Sequence, residues 1–330
     1  MKEDALHADR IPICSNKNKV RAQRKAAPKP RFGRIGTQEK RQGILMAVIP
    51  FIGFLAFTSF PMVLSMIISF CDLHSYDLSQ MKWVGIGNYK TMFQMPLFKT
   101  ALVNTLYFCL SVPINLVSQL FLANLISKPI NKHFAKVARL ILYIPTVIGG
   151  VAISLIWNWI LEANYGVINT ILTSIGMSKV GFTTTKEWFM PSVLLIKWWS
   201  TGFNILVFQS ALSNVDISLK EAARIDGATD RKLFFKVVLP QISPMLVYTC
   251  TMSIIEAFGE ISTMQIISGN GLGPSNSAVT LSYMMYRMAY VNIFTEGFGM
   301  ASALGWVIGI ITIVMVVLSN WAARKWRSSD

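Results

Sequence analysis

The sequence predicts an all-α integral membrane protein with six transmembrane helices and a helical loop between the fourth and the fifth. Of its 330 residues, 53% are apolar and only 14% are charged, whereas charged residues make up about 25% of soluble domains. A helix that crosses the bilayer needs about 20 mostly apolar residues. Six runs of the chain meet this requirement. They lie at approximately 43–70, 100–126, 138–161, 190–212, 244–268 and 298–321.

The chain begins with a basic arm. Residues 1–42 carry 12 of the 31 lysines and arginines, so much of the net charge of +15 lies ahead of the first span. The arm also contains Pro, Gly, Asn and Gln and has no helical period, which predicts a disordered segment. It is too long for the basic region of a cleavable secretory signal. A solvated topology anchor explains the charge, so no nucleic-acid partner is expected.

The basic residues also predict the orientation, because loops rich in lysine and arginine stay on the cytoplasmic side. The arm, residues 128–139, the loop at 213–243 and the C-terminal end hold 24 of the 31 basic residues, and the opposite connections hold six. Both termini, including the tail at 327–330, and the 213–243 loop are therefore expected in the cytoplasm.

The loop between the fourth and fifth spans has the pattern of two short helices separated by a sharp turn. Ser218 and Glu221 have the spacing of a capping box, which marks the start of a helix. Gly227 can take the left-handed conformation that ends this helix, and Thr229 can cap a second helix that Pro240 would stop. The second helix has an apolar stripe with nothing local to bury it, so it is predicted to dock on another protein. The stripe consists of Leu233, Phe234, Phe235 and Val237.

Short motifs in this loop carry a family resemblance. They read Glu221-Ala222-Ala223, Asp226-Gly227-Ala228, Val237 and Leu239-Pro240. This pattern resembles the cytoplasmic EAA loop of ABC-importer permeases, a coupling helix that sits in a cleft of the ATPase subunit and transmits its closure. The ATPase-coupling residues that the resemblance implies are Glu221, Ala222, Ala223, Asp226, Gly227, Ala228, Phe234, Phe235, Val237, Leu239 and Pro240. An ordinary amphipathic loop helix is the alternative.

The predicted outer connections are rich in aromatic residues and glycines. Examples are the WVGIGNY segment at 83–89, the segment at 268–274 and the segment at 286–299. They resemble the outer loops of maltose-type carbohydrate permeases, and the resemblance covers about 43–326, the predicted permease domain. The SGNGLGPSN segment and the closing Asn320-Trp321 are closer to permeases for oligosaccharides or polysaccharides.

The resemblance implies a permease subunit of the bacterial inner membrane that forms the path for an imported oligosaccharide. Its partners would be a second, different but homologous permease, two ATPase subunits, an extracytoplasmic substrate-binding protein and the lipid bilayer. The chain has no GxxxxGK[ST] motif, so ATP and magnesium should be bound by the ATPase subunits, and no cofactor by this chain.

No sequence motif predicts catalysis or a metal site. HExxH and GxSxG are absent, and the four cysteines are widely spaced without a CxxC pair, which argues against a metal ligand set or a nucleophile. These cysteines are Cys14, Cys71, Cys109 and Cys250. The chain is therefore predicted not to be an enzyme.

Three charged residues stand out in the interior of predicted spans, where a charge is costly. Glu256 and Glu260 would share one face of the fifth span, and Lys197 lies in the fourth span beside Trp198 and Trp199. By resemblance to maltose-type permeases, the substrate-path candidates are Lys197, Trp198, Trp199, Asn204, Glu256 and Glu260. In the alternative interpretation, the lysine snorkels, the tryptophans form an interfacial belt and the glutamates pair with another subunit.

Two functional questions stay open at the level of the sequence. Glu256 and Glu260 are also compatible with an ion-coupled secondary transporter, in which they would carry protons or sodium. Apart from Arg139 at the cytoplasmic edge of the third, Lys197 is the only basic residue inside a predicted span, and a lone buried charge facing the path would favour an acidic, uronate-type oligosaccharide. The two glutamates would repel such a cargo unless they are neutralised.

Overall fold

The structure, a computed structural model, describes residues 37–127, 132–200 and 202–328. The predicted disordered arm lies largely outside these residues. The chain divides into two units, of which the first is described from residue 37 to residue 62 and the second begins at residue 63. In the first unit, helix α1 leads through a π-helical turn into helix α2, whose C-terminal part belongs to the second unit. The bounds are Thr37–Phe54 for α1, Leu55–Ser59 for the turn and Phe60–Ser69 for α2.

In its described residues, the second unit contains helices and one small antiparallel ladder of two strands, β1 (Cys71–Asp72) and β2 (Lys82–Trp83). Its helices are α3 Gly87–Gln94, α4 Pro96–Ser127, α5 Lys132–Val147, α6 Gly150–Ile160, α7 Val167–Ser174, α8 Lys186–Ser200, α9 Gly202–Ser213, α10 Ile217–Ile225, α11 Asp230–Leu233, α12 Leu239–Phe258, α13 Ser262–Ile267, α14 Leu281–Tyr286 and α15 Gly297–Ser328. Helix α4 packs against α9 and α12, and α12 packs against α15. The core between them buries Phe108, Phe208 and Phe258.

The all-α fold and four of the predicted spans are confirmed. In the described part of the chain, four continuous helices are long and apolar enough to cross a membrane. They are Arg41–Ser69, Pro96–Ser127, Asp230–Phe258 and Gly297–Lys325.

The third predicted span is not one straight helix, and the predicted count of six transmembrane helices is not confirmed within the described residues. The third bends by 110° between Ala135–Val147 and Gly150–Ile160. The fourth predicted span is helical on both sides of residue 201, in α8 and α9, and residue 201 lies outside the described residues. Helix α9 approaches α5 so closely that a Cβ atom on Gly202 would lie 1.9 Å from the carbonyl oxygen of Leu142.

The fifth predicted span, 244–268, differs from the observed helix at both ends. The helical segment begins at Asp230 and ends at Phe258. Pro240 does not stop it, because a π-helical turn at Phe234–Val238 precedes the proline and the Leu239 N–H bonds to the Phe234 carbonyl, five residues back. The wider turn shifts the hydrogen-bond ladder before the proline, which has no N–H to contribute. The turn at Leu55–Ser59 precedes Pro61 in the same way.

Asparagine and glycine residues of the predicted outer connections hold the segment around Cys71 against α3 and α15. The Asn88 side-chain amide donates to the carbonyls of Ser69 and Cys71 at 2.9 and 2.8 Å. A Cβ atom on Gly299 would lie 2.0 Å from the Cys71 carbonyl oxygen. These motifs therefore have a structural role: they allow close contact of backbone with backbone.

Candidate functional site

The coupling-loop candidate begins with a cap that differs from the predicted one. The Asp216 carboxylate accepts a hydrogen bond from the Ser218 N–H at 2.9 Å and so caps α10. Ser218 is thus the second residue of the helix, and the predicted capping box with Glu221 is wrong. Aspartate is among the strongest N-cap residues, which explains the earlier start. The same backbone hydrogen bond lowers the pKa of Asp216.

The turn after α10 is confirmed at Gly227, whose φ is +76°. The Gly227 N–H bonds to the Arg224 carbonyl at 3.0 Å, and the Ala228 N–H bonds to the Ala223 carbonyl at 2.9 Å. These two bonds form a Schellman motif, which uses the last carbonyls of a helix. Thr229 then accepts from the Lys232 N–H and caps α11, as predicted.

The apolar stripe of the second helix is only partly available for docking. Leu233 is 4% exposed and Phe234 packs against the hydrophobic core, so the prediction of a stripe with no local partner is wrong for these two. Phe235 is 62% exposed. It lines an apolar groove that runs beside α4 and includes Phe121.

Helix α10 presents a second apolar surface that sequence reasoning missed. Ile217, Leu219 and Ile225 are exposed by 68%, 45% and 86%. Glu221, Ala222, Asp226 and Gly227 are exposed as well, whereas Ala223, Ala228, Val237, Leu239 and Pro240 are half-buried. The signal was present in the sequence, since the two isoleucines flank the EAA motif, but it does not form a simple helical period.

The charged candidates are arranged differently from the prediction. Gly259 ends α12, so Glu260 lies beyond the helix and does not share a face with Glu256. Glu260 accepts from the Thr263 N–H at 2.8 Å with one oxygen and forms an ion pair with Lys197 at 2.5 Å with the other. Their side chains are 10% and 25% exposed. Lys197 is therefore neither a lone charge nor a snorkelling one.

The tryptophan and asparagine candidates contact neighbouring helices. The Trp198 indole N–H donates to the Ser118 hydroxyl at 2.7 Å. The Trp199 ring meets the Trp157 ring edge-on at 5.4 Å between centroids. The Asn204 amide donates to Gln119 at 3.2 Å, a side chain of α4. Polar side chains of α4 thus complete a network that sequence reasoning assigned to the fourth and fifth spans alone.

We call this set of neighbouring polar side chains the polar seam, defined by Ser111, Asn115, Ser118, Gln119, Lys197, Asn204, Ser253 and Glu256. Six of these residues line a cavity of about 30 Å³ between α4, α8 and α12. Within the residues that the structure describes, Glu256 is exposed and has no hydrogen-bond or ion-pair partner. The missed residues of α4 lie at 111, 115, 118 and 119, a spacing that places them on one helical face.

No cluster of His, Cys, Asp or Glu in the described ranges could hold a metal ion. The polar seam offers hydrogen-bond donors and acceptors with aromatic faces near them, and α10 presents exposed apolar side chains.

A long-helix membrane bundle with a polar seam and an exposed helical loop defines a membrane transport subunit. Residues 116–327 match the family of binding-protein-dependent transport system inner membrane components, and the chain belongs to this family. The probable ABC transporter permease YesP of Bacillus subtilis is 33% identical over 83% of this chain and 89% of its own. The arabinooligosaccharide transport permease AraP of the same organism is 31% identical over 85% and 88%.

The lactose transport permease LacF of Rhizobium radiobacter is 29% identical over 82% of this chain and 89% of its own. The chain is also similar to a crystal structure. That structure is a bacterial ABC transporter involved in the import of the acidic polysaccharide alginate. It matches with a TM-score of 0.75 at 25% identity, over 89% of this chain and 99% of its own. The chain is thus an ABC transporter permease and not an enzyme, and the ion-coupled alternative is set aside.

Proposed function

We propose that this chain is one of two homologous permease subunits of an ATP-driven importer that carries an oligosaccharide across the bacterial inner membrane. The family membership supports the transport role. The cargo class is supported by the relatives, whose names specify lactose and arabinooligosaccharides. An extracytoplasmic binding protein would deliver the cargo, and both termini of the chain would lie in the cytoplasm.

Coupling to ATP hydrolysis would occur at α10. Exposed apolar side chains support this role: Ile217 and Ile225 of α10 are exposed by 68% and 86%. The Gly227 turn fixes the C-terminal end of this helix. Burying such side chains in a cleft of an ATPase subunit is favourable, and the rigid turn would pass the motion of that subunit to α12. ATP and magnesium would be bound by the ATPase subunits.

The polar seam is the proposed lining of the path. Asn115 and Asn204 supply amide donors and acceptors for sugar hydroxyls, and Trp199 supplies an aromatic face. Glu256 is exposed on α12 and has no partner in the described part of the chain. A carboxylate at this position would face either a sugar hydroxyl or a cation of the second permease, since an isolated charge in a membrane is costly.

A uronate-type cargo is a second candidate. Glu260 neutralises Lys197, so Lys197 does not favour an acidic cargo. The remaining support is the similarity to the alginate importer at a TM-score of 0.75.

The test is uptake by the complete transporter in proteoliposomes. The binding protein would be loaded in turn with neutral and uronate oligosaccharides of two to six units, and ATPase activity would be measured beside uptake. Stimulation of both by at least one oligosaccharide is expected. Stimulation by amino acids or phosphate esters, with none by any saccharide, would contradict the proposed cargo. Uptake without an ATPase subunit would contradict the mechanism.

A further inference from the structure

An aromatic series lies beyond the C-terminal end of α12, which is the end distant from the coupling loop. Tyr283 stacks on Tyr286 with ring centroids 6.3 Å apart, and Tyr286 tilts onto Tyr290 at 5.2 Å. Tyr283 is buried, whereas Tyr290 is 61% exposed. The π-helical turn Arg287–Val291 follows α14 directly. It carries Tyr290, and such turns are frequent at functional sites.

Arg287 places a cation within this series. Its Nη1 donates to the Asn270 carbonyl at 2.7 Å, and its guanidinium carbon lies 5.9 Å from the centre of the Tyr283 ring. No carboxylate in the described part of the chain forms an ion pair with it. A guanidinium has five N–H donors. The groups that Asn270 does not use remain for an acceptor from outside the chain.

The loop beneath Arg287 is held in an unusual backbone conformation. Asn270, Ser275 and Asn276 have φ values of +63°, +52° and +64°. Such conformations are costly and persist only where the surroundings fix them. Here the Tyr283 hydroxyl donates a hydrogen bond to the Gly271 carbonyl at 3.0 Å, in addition to the bond from Arg287 to Asn270. The loop is thus a rigid support that fixes the position of the guanidinium.

A hydrogen-bonding amide completes the cluster. The Gln265 side chain donates to the Tyr286 hydroxyl at 3.3 Å, which leaves its carbonyl oxygen for a hydroxyl donor. The cluster therefore combines an uncompensated planar cation, an exposed aromatic face and an amide. A neutral ligand would leave the positive charge of Arg287 uncompensated, whereas a carboxylate can accept two parallel hydrogen bonds from its guanidinium.

We propose that Arg287, Tyr290, Tyr286 and Gln265 form a subsite for a uronate unit of an acidic oligosaccharide, at the end of the bundle opposite the coupling loop. The sugar carboxylate accepts from Arg287, the apolar face of the sugar ring lies on Tyr290, and a ring hydroxyl donates to Gln265. The subsite deepens the proposed transport function and rests on it. It assigns the recognition of the acid to Arg287 instead of Lys197.

The experiment uses the complete transporter in nanodiscs without its binding protein, and saturation-transfer NMR with trigalacturonate and its fully methyl-esterified form. The two probes share a skeleton and differ in charge. Arg287→Gln should weaken trigalacturonate binding by at least about ten-fold, the effect of one charged hydrogen bond, and change ester binding by less than about two-fold. Tyr290→Ala should weaken both. Because Tyr290 is exposed, this second variant tests the subsite without disturbing the fold.

Lys179→Gln is the matched control, since Lys179 is another outer cation that donates to a loop carbonyl, that of Asn164 at 3.0 Å. It should leave both probes unaffected. Equal weakening of both probes by Arg287→Gln would show a structural brace and overturn the proposal. So would a wild-type transporter that binds neither probe. Normal ATP-driven uptake of a saccharide in those cases would leave the proposed function standing, so the two failures are distinguishable.

Discussion

Gly227 sets the angle between α10 and the helix that follows. A Cβ atom at this position would meet nothing within 4 Å, so a larger side chain would cost only the left-handed conformation, about 1–2 kcal/mol. We expect Gly227→Leu to leave the protein in the membrane but to reduce both ATPase capture in a pull-down and transport.

Gly176→Leu is the matched control for this variant. Gly176 has a φ of +84° and equally open surroundings, but it lies in a predicted outer connection. Normal capture and transport by the Gly227 variant, or equal losses in both variants, would contradict the assignment of the loop.

The Lys197–Glu260 pair provides a second residue-scale prediction. Removing one partner of a buried pair costs about 3–5 kcal/mol, and the partial exposure of Lys197 favours the lower end. Lys197→Met should therefore lower the melting temperature of the detergent-solubilised protein, and adding Glu260→Gln should restore much of it. An additive double variant would show that the two charges do not interact. Lys179→Met, at an exposed lysine, controls for loss of charge.

At the scale of elements, the contact between α5 and α9 depends on the absence of a side chain. Gly202→Ala would place a methyl group 1.9 Å from the Leu142 carbonyl oxygen. The two helices would have to separate, at a cost of about 1–3 kcal/mol. Gly309→Ala in α15 has free space around its Cβ atom and should be neutral. Equal melting temperatures of the two variants would contradict the close packing.

Helix α10 should depend on pH through its cap. Because the pKa of Asp216 is lowered by the Ser218 N–H, the ionised cap stabilises the helix above the ordinary pKa of aspartate, about 3.9. This contribution is lost as the pH falls through the lowered value. Hydrogen exchange should show α10 opening more readily in acid in the wild type. Asp216→Asn, which keeps an acceptor but cannot ionise, should show a smaller change. Parallel pH profiles would argue against the cap.

At the scale of the whole molecule, the charge distribution predicts which ends face the cytoplasm. In right-side-out vesicles, and in a background without native cysteines, a membrane-impermeant maleimide should label Lys179→Cys and leave Arg224→Cys unlabelled until the membrane is opened. The reverse pattern would invert the topology and place α10 out of reach of a cytoplasmic ATPase.

The features that sequence predicted correctly have local causes. The turn at Gly227 and the cap at Thr229 depend on a few adjacent residues, and the long spans depend on composition. Several of the features that it missed depend on distant partners. Glu260 leaves the helix to meet Lys197, 63 positions earlier, and Gly202 fits a carbonyl of another helix. Leu233 is buried by the fold and not by its neighbours in sequence.

The π-helical turn at Phe234–Val238 also fixes a rotational phase. Such a turn holds one residue more than an α-helical turn, and one residue corresponds to about 100° around the helix axis. The direction in which the coupling loop leaves the helix, relative to the direction in which Glu256 points, is therefore set by this single additional residue. Loss of one residue here would preserve every side chain of both surfaces and turn one away from the other. The rotational phase of this helix, as well as its side-chain chemistry, therefore determines how the coupling loop and Glu256 are oriented relative to each other.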